Sequence, residues 1–282
     1  MTISGNAKLA GIAGWPVAHS LSPRLHAYWI AQHKLDAAYV PLAIKPEDFA
    51  SAFAALPKLG FRGLNVTLPH KENAFRLTTD HDAAAIATGA VNTVVFENGR
   101  AVGRNTDVVG FSALLREHGI TSLAAQTAVV LGAGGASRAV VASLLSLGAQ
   151  NVVLVNRTLE KARTLATFFG ERVSAAAWAA LPSGLEKAAV LVNTTSLGMK
   201  GEPPLEIDLA SLPKASAVVD IVYRPLETPL LAQAKARGLK AIDGLGMLLH
   251  QAQPGFAAWF GVEPKVTSEL RAHLIAALEG RG

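Results

Sequence analysis

The chain has 282 residues, half of them hydrophobic and 17% charged, and its 26 basic and 21 acidic side chains leave a net charge of +5. This excludes a disordered polymer and supplies enough apolar surface for two domain cores; the basic residues are scattered, so small anions rather than nucleic acid are the expected partners. Cysteine is absent, which removes disulfides and thiolate chemistry and agrees with a reducing cytoplasm; no apolar run reaches the ~18 residues of a membrane span, and no His spacing suits a metal.

KLAGIAG at 8–14 reads as a strand. The stretch that follows carries Pro16 and His19 where a secretory signal needs a smooth apolar helix, so it is expected to be loop of the mature fold. Next come a helix in SPRLHAYWIAQHKL, a strand in AAYVPLAI, a helix in PEDFASAFAALPKLG and a strand in FRGLNVTL. VNTVVFENGRAVGRN reads as a β-hairpin, because Asn98-Gly99 supplies the two positive φ values of a type I′ turn. Ser22 is expected to cap its helix with Pro23 at the first helical position.

A second unit begins near Asp107 with the helix VVGFSALLREHG. TAVVL, a Gly-rich turn, a helix and NVVLVN follow, then the strands AVLVNTT, AVVDIVY and LKAIDG. Runs so rich in β-branched residues suit a parallel sheet covered on both faces. SAAAWAA reads as helix, and the tail from Gly246 as helices interrupted at Pro254-Gly255.

Gly132, Gly134 and Ser137 occupy the three small positions of GxGxxG between a strand and a helix. The first permits the turn, the second lets backbone N–H groups approach a pyrophosphate, and the third must be small where helix meets strand. At the end of the next strand, where an NAD site places a carboxylate for the ribose 2′-hydroxyl, stand Asn156, Arg157 and Thr158. An amide, a guanidinium and a hydroxyl suit a 2′-phosphate, so NADP is expected over NAD.

One short stretch of the first half, NVTLPHK at 65–71, gathers an amide, two other polar groups and an ammonium on a single corner. Taken together, HSLSP at 19–23, NVTLPHK at 65–71, GAVNT at 89–93, GRNTDVVG at 103–110, GAGGASRA at 132–139, NRT at 156–158, NTTSLGM at 193–199, DIVYRPLETPLL at 220–231 and GLGMLLHQA at 244–252 resemble the signature segments of the shikimate dehydrogenases, in that family's order and spacing.

The resemblance implies a two-domain α/β fold: a mixed-sheet substrate domain from 1–106 plus 246–282, and a Rossmann NADP-binding domain from 107–245, with the C-terminal helices returning to the first domain. It implies reversible reduction of 3-dehydroshikimate to shikimate with NADPH, a step of aromatic amino-acid biosynthesis, in a cytoplasmic monomer or homodimer. Lys71 and Asp107 are then the catalytic residues, and Ser20, Ser22, Thr67, Asn92, Asp107, Tyr223 and Gln251 hold the substrate. Gly132, Ala133, Gly134, Gly135 and Ala136 would lie at the pyrophosphate, and Asn156, Arg157, Thr158 and Lys161 at the ribose phosphate. Thr194, Ser196, Ile221, Gly244 and Met247 would lie towards the nicotinamide. Asn65 is expected to fasten the polar corner through its amide, and His70 to pack or face solvent. Two alternatives stand beside this reading: an NAD-linked quinate/shikimate dehydrogenase, and a non-catalytic NADP-binding sensor.

Overall fold

The structure is a computed structural model that describes residues 3–281. Its chain divides into two compact units, residues 1–110 with 248–282 and residues 111–247.

The first unit alternates strands and helices: β1 (Lys8–Gly14), α1 (Ser22–Gln32), β2 (Ala37–Ala43), α2 (Phe49–Ala55), β3 (Phe61–Val66), α3 (Lys71–Leu77), β4 (Asp80–His81), α4 (Ala83–Thr88), β5 (Thr93–Glu97) and β6 (Arg100–Arg104). They form a mixed sheet in the order β2-β1-β3-β5-β6-β4. β1 runs parallel to β2 and β3, whereas β5 is antiparallel to both β3 and β6. The β5–β6 turn is the expected one, with Asn98 at φ 50° and Gly99 at φ 73°.

One core of this unit contains Phe49, Phe53, Leu64, Val66 and Val94. Elsewhere in it Trp29, Phe256 and Trp259 each pack against the His26 ring, with Phe256 and Trp29 rings 5.3 Å apart. Each fully buried aromatic of this kind contributes a few kcal/mol at about 25 cal/mol per Å² of apolar surface. The two indole N–H groups are satisfied by backbone, Trp29 donating to Lys265 O at 3.1 Å and Trp259 to Val94 O at 2.9 Å.

The second unit follows α5 (Thr106–Glu117), within which the boundary between units falls. It holds β7 (Thr127–Leu131), α6 (Gly135–Ser146), β8 (Asn151–Asn156), α7 (Leu159–Phe169), β9 (Val173–Ala177), α8 (Leu181–Leu185), β10 (Ala188–Asn193), β11 (Ala217–Asp220), α9 (Pro229–Ala236) and β12 (Lys240–Asp243). All six strands are parallel, in the order β12-β11-β10-β7-β8-β9. Val130, Val152 and Val192 belong to one core, and Val129, Leu191 and Val218 to another, which is why these strands are apolar at successive positions. The second boundary lies in α10 (Leu245–Phe260), and α11 (Ser268–Leu278) ends the described chain.

Four local expectations are corrected. SAAAWAA is not a helix: Val173–Ala177 pairs as strand β9 with β8, and a 3-10 turn follows at Trp178–Ala180. Alanine's helix propensity is worth only tenths of a kcal/mol per residue, less than an open sheet edge offers. The tail helix does not break at Pro254; α10 runs through it, because proline removes one ladder bond that the rest of a 16-residue helix sustains. PEDFASAFAALPKLG splits into a 3-10 turn, α2 and a second 3-10 turn containing Pro57. Ser22 lies in the first turn of α1 rather than capping it, and Leu21 holds the cap position with no side-chain bond.

Candidate functional site

The polar corner is built on the end of β3. Its turn is fastened by backbone bonds from Thr67 N to Ala13 O at 2.9 Å, Trp15 N to Leu68 O at 3.0 Å and His70 N to Thr67 O at 3.0 Å. His70 is fully buried, stacked 4.3 Å from Phe49 and donating through Nε2 to Ile44 O at 2.8 Å, so it packs the corner and does not reach solvent. Lys71 opens α3, and its carbonyl accepts from Val91 N at 3.0 Å. With the backbone so held, the side chain projects from a fixed point.

Lys71 Nζ lies 2.6 Å from Asp107 Oδ2, and the two side chains are only 14% and 11% exposed. Asp107 sits in the first turn of α5, where the free N–H groups of a helix favour a carboxylate. The pair therefore presents one oriented ammonium, with most of its water removed.

Beside it lies a row of buried amides. Asn92 Oδ1 accepts from Thr106 N at 2.8 Å, with the hydroxyls of Thr93 and Thr106 each 3.1 Å away. These donors determine which end of the Asn92 amide is oxygen. Its Nδ2 donates to Gln251 Oε1 at 3.4 Å, and Gln251 Nε2 donates to Leu248 O at 3.0 Å. The aim of Gln251 is thus set in spite of Pro254. Asn65 fastens β3 to its neighbour strand rather than the turn itself, donating to Asn92 O at 3.2 Å and Thr93 Oγ1 at 3.0 Å.

Tyr39, on β2, donates to Asn65 Oδ1 at 2.6 Å. Burial raises its phenol well above the ordinary range, an effect partly offset by a hydrogen bond with Ser22. Ser20 Oγ accepts from Ser22 N at 3.2 Å. His26 stacks on Tyr39 at 3.9 Å, and burial pushes its pKa down to about 3, with the Asn65 amide beside it offsetting only part of that. In the first unit one polar network thus links Ser20, Ser22, Tyr39, Asn65, Asn92 and Gln251, while Lys71 and Asp107 form a separate pair and Thr67 lies on the same turn as Lys71.

In the second unit β7 ends at Leu131, and Gly132 turns with φ at +106°, a conformation that costs other residues. The N-terminus of α6 follows, with exposed Gly134 at its cap. A methyl group on Gly134 would meet no atom within 4 Å, so this backbone faces open space. Ser137, by contrast, is fully buried: its Oγ accepts from Gly134 N at 3.1 Å and lies 2.7 Å from Thr194 Oγ1. The serine in the third glycine's place is a tie between the turn and the β10 loop, which a glycine would not supply.

At the end of β8 Asn156 Nδ2 donates to Thr158 O at 2.8 Å, while Arg157, Thr158 and Lys161 are exposed. Positions 156–158 carry no carboxylate, and Glu160 in the first turn of α7 pairs with Arg163. Ala133 and Ile221 pack against the core that contains Met247, so Met247 is largely a core residue. Gly244 brings its backbone against the Ile221 carbonyl, closer than a side chain would allow. Gly135 and Ala136 form the first turn of α6, and Ser196 lies in the loop after β10. Burial raises the Tyr223 phenol, with the Arg224 charge opposing.

Asp220 ends β11 fully buried, and that burial lifts its carboxyl to about 6 against the donors that surround it. Neither it nor Asn193 beside it, nor Tyr39 and Thr93, is among the residues singled out by sequence. A lone polar residue in an apolar strand, such as Tyr39 in AAYVPLA, is the available signal, but its partner lies 26 residues away. Among the described residues no group of three His, Asp or Glu is placed to hold a metal ion, and no helix is long and apolar enough to cross a membrane.

An open parallel sheet with a glycine turn feeding a helix N-terminus defines a dinucleotide-binding α/β protein, and the first unit of the same chain carries an ammonium–carboxylate pair. Family models narrow the class. Residues 12–94 match the shikimate dehydrogenase substrate binding domain, and residues 115–200 match shikimate/quinate 5-dehydrogenase. The NADP(+) shikimate dehydrogenase of Acidiphilium cryptum is 55% identical, across 99% of this chain and all of that protein. The crystal structure of shikimate dehydrogenase from Aquifex aeolicus superposes with a TM-score of 0.86 at 40% identity, covering 99% of both chains. That of the Thermus thermophilus shikimate 5-dehydrogenase in complex with NADP(H) and shikimate gives 0.84 at 35% identity, over 97% of this chain and 99% of that one. The chain belongs to the shikimate dehydrogenase family.

Proposed function

We propose that this chain interconverts 3-dehydroshikimate and shikimate with NADP(H), using Lys71 as the proton donor and acceptor and Asp107 to orient it. The observation that carries the reading is the 2.6 Å contact between Lys71 Nζ and Asp107 Oδ2 in a largely dehydrated setting. The first unit is the substrate domain and the second the NADP domain.

The residues present fit the cofactor. Gly134 leaves open space before the α6 N-terminus, where a pyrophosphate meets free N–H groups. Arg157 and Thr158 are exposed at the end of β8, and positions 156–158 carry no carboxylate that would repel a 2′-phosphate. Gly132 to Ala136 would hold the pyrophosphate, Asn156 to Thr158 with Lys161 the ribose phosphate, and Thr194, Ser196, Ile221, Gly244 and Met247 the nicotinamide side. Bound NADPH supplies a hydride.

Reduction turns the C3 carbonyl of 3-dehydroshikimate into an alcohol, so its oxygen gains negative charge as the carbon gains hydrogen. Lys71 Nζ donates a proton to that oxygen, and its charge stabilises the developing alkoxide. In oxidation the neutral amine takes the hydroxyl proton back. Asp107 holds Nζ on its line and accepts from a ring hydroxyl through its other oxygen. Ser20 and Ser22 bind the substrate carboxylate, and Thr67, Asn92, Gln251 and Tyr223 bind ring hydroxyls.

The family members named above favour NADP(+) and shikimate over the two alternatives, an NAD-linked quinate enzyme and a silent sensor. Purified chain offered shikimate or quinate with NADP⁺ or NAD⁺, followed by nicotinamide absorbance, tests the reading. Turnover with shikimate and NADP⁺ supports it; comparable turnover with quinate and NAD⁺, or none at all, overturns it. We place the enzyme in the cytoplasm as a monomer or homodimer, which size-exclusion chromatography and cell fractionation check.

A further inference from the structure

Asp220 and Asn193 are neighbours in the parallel ladder, at the ends of β11 and β10. Both are fully buried. Asn193 uses all four hydrogen-bonding positions of its amide. Its Oδ1 accepts from Thr195 N at 3.0 Å and Thr195 Oγ1 at 2.7 Å, and its Nδ2 donates to Leu197 O at 3.2 Å and Asp220 Oδ1 at 3.0 Å. Thr195 Oγ1 in turn accepts from Leu197 N at 3.1 Å. The turn at 193–197 is therefore wound around one amide.

That amide has only one workable orientation, because Asp220 and the Leu197 carbonyl are both acceptors and would repel an oxygen. Asp220 Oδ1 also accepts from Val222 N at 3.1 Å, and Oδ2 from Thr228 Oγ1 at 2.7 Å, the residue that caps α9. A single carboxylate thus joins the turn after β10, the turn after β11 and the start of α9. Its three partners are neutral donors, so several kcal/mol of desolvation are met without a cation. An apolar pair would fill the same space at less cost, yet it would leave both turns without a common anchor.

We propose that Asp220 is a positioning residue for the NADP site: through Asn193 and Val222 it sets the two turns that carry Thr194, Ser196 and Ile221. This rests on the assignment of those three residues to the nicotinamide side. Asp220 touches neither substrate nor cofactor, and it acts by acceptor geometry rather than by charge. The isosteric Asp220→Asn keeps an oxygen towards Asn193 and Val222 and turns an N–H to the Thr228 hydroxyl, so it conserves the anchor; Asp220→Ala removes it.

The test compares wild type, Asp220→Asn and Asp220→Ala by amide hydrogen exchange of the cofactor-free chain, calorimetric binding of NADP⁺, and KM for each substrate. In Asp220→Ala the amides of Thr195 and Leu197 are expected to exchange at least about tenfold faster relative to those of β7 and β8, the size of one lost buried hydrogen bond. The Kd for NADP⁺ rises by about the same factor, while KM for 3-dehydroshikimate stays within about twofold. Asp220→Asn stays within about threefold of wild type on every readout. If Asp220→Ala leaves exchange and NADP⁺ affinity unchanged, or if Asp220→Asn is equally impaired, the proposal falls. Should Asp220→Ala not fold, Asn193→Ala carries the same expectations and the same power to overturn. Wild type that fails to bind NADP⁺ would instead sink the cofactor assignment, and the exchange result would still report on the anchor.

Discussion

Tyr39 Oη donates to Asn65 Oδ1 at 2.6 Å, both side chains being buried, and the same Asn65 amide holds Asn92 O and Thr93 Oγ1 through Nδ2. A phenol on one strand thereby determines the aim of an amide that sits behind a candidate substrate contact.

Tyr39→Phe removes only the hydroxyl and keeps the ring against His26. Asn65 Oδ1 then loses its donor while buried, which costs about 1–3 kcal/mol. Urea unfolding is expected to show that loss, and KM for 3-dehydroshikimate to rise several-fold as Asn92 is released. Unchanged stability would mean that the bond adds nothing to folding.

Lys71→Ala is expected to lower kcat by about 10²–10⁴, the usual range for a positioned acid or base, with substrate affinity largely kept. Asp107→Asn retains an acceptor near Nζ and should lose less. Steady-state rates at saturating concentrations of both substrates decide this. Near-normal kcat in Lys71→Ala would remove Lys71 from the chemistry.

Arg157→Glu replaces a guanidinium by a carboxylate at an exposed strand end. Loss of a charge-assisted bond is worth about 1.5–3 kcal/mol, so the preference for NADPH over NADH should fall by about 10–100-fold. Relative kcat/KM for the two nucleotides measures it; an unaltered ratio would show that the 2′-phosphate is held elsewhere.

Two buried groups should set opposing trends of stability with pH. His26 titrates at about 3 in the fold against 6.5 ordinarily, so its contribution is present above 6.5 and is lost as pH falls towards 3. Asp220 titrates at about 6 against 3.8, so its contribution is present below 3.8 and is lost as pH rises through 6. Asp220→Asn removes the second trend and should make stability fall more steeply between pH 6 and 4, by up to about 3 kcal/mol over that window. Denaturant midpoints across this range test it, and parallel curves for the two proteins would contradict it.

Gly14 ends β1 where Thr67 passes over it, and a methyl group there would overlap Thr67 Cγ2. Gly14→Ala is expected to cost about 1–3 kcal/mol, as overpacking does, and to raise KM for 3-dehydroshikimate by displacing Thr67. Thermal unfolding and KM measured together check both parts.

Local rules carried most of the fold. Period-2 strands, the Asn98-Gly99 turn, the Gly132 turn between strand and helix, and doubly apolar strands are each written in a few adjacent residues, because backbone sterics and burial act at that range. SAAAWAA and Pro254 were misleading for a related reason: propensities of this size yield to a neighbouring strand or to a long helix already in place. The candidate site residues were reached through resemblance, since singly Ser22, Asn92 or Lys71 is an ordinary cap, strand end or surface cation.

Tertiary structure alone decided the partners. Sequence by itself determined two α/β units, a phosphate-type turn without a following carboxylate, and a polar corner after a buried strand. The pairing of Lys71 with Asp107 was expected through the resemblance, but neither the meeting of Gln251 with Asn92 from 159 residues away nor the anchoring of the turn at Asn193 by Asp220 was. Hydrogen bonds and ion pairs act within about 3 Å, and which groups come that close depends on sheet order and helix docking, quantities fixed by the whole core and not by any one segment.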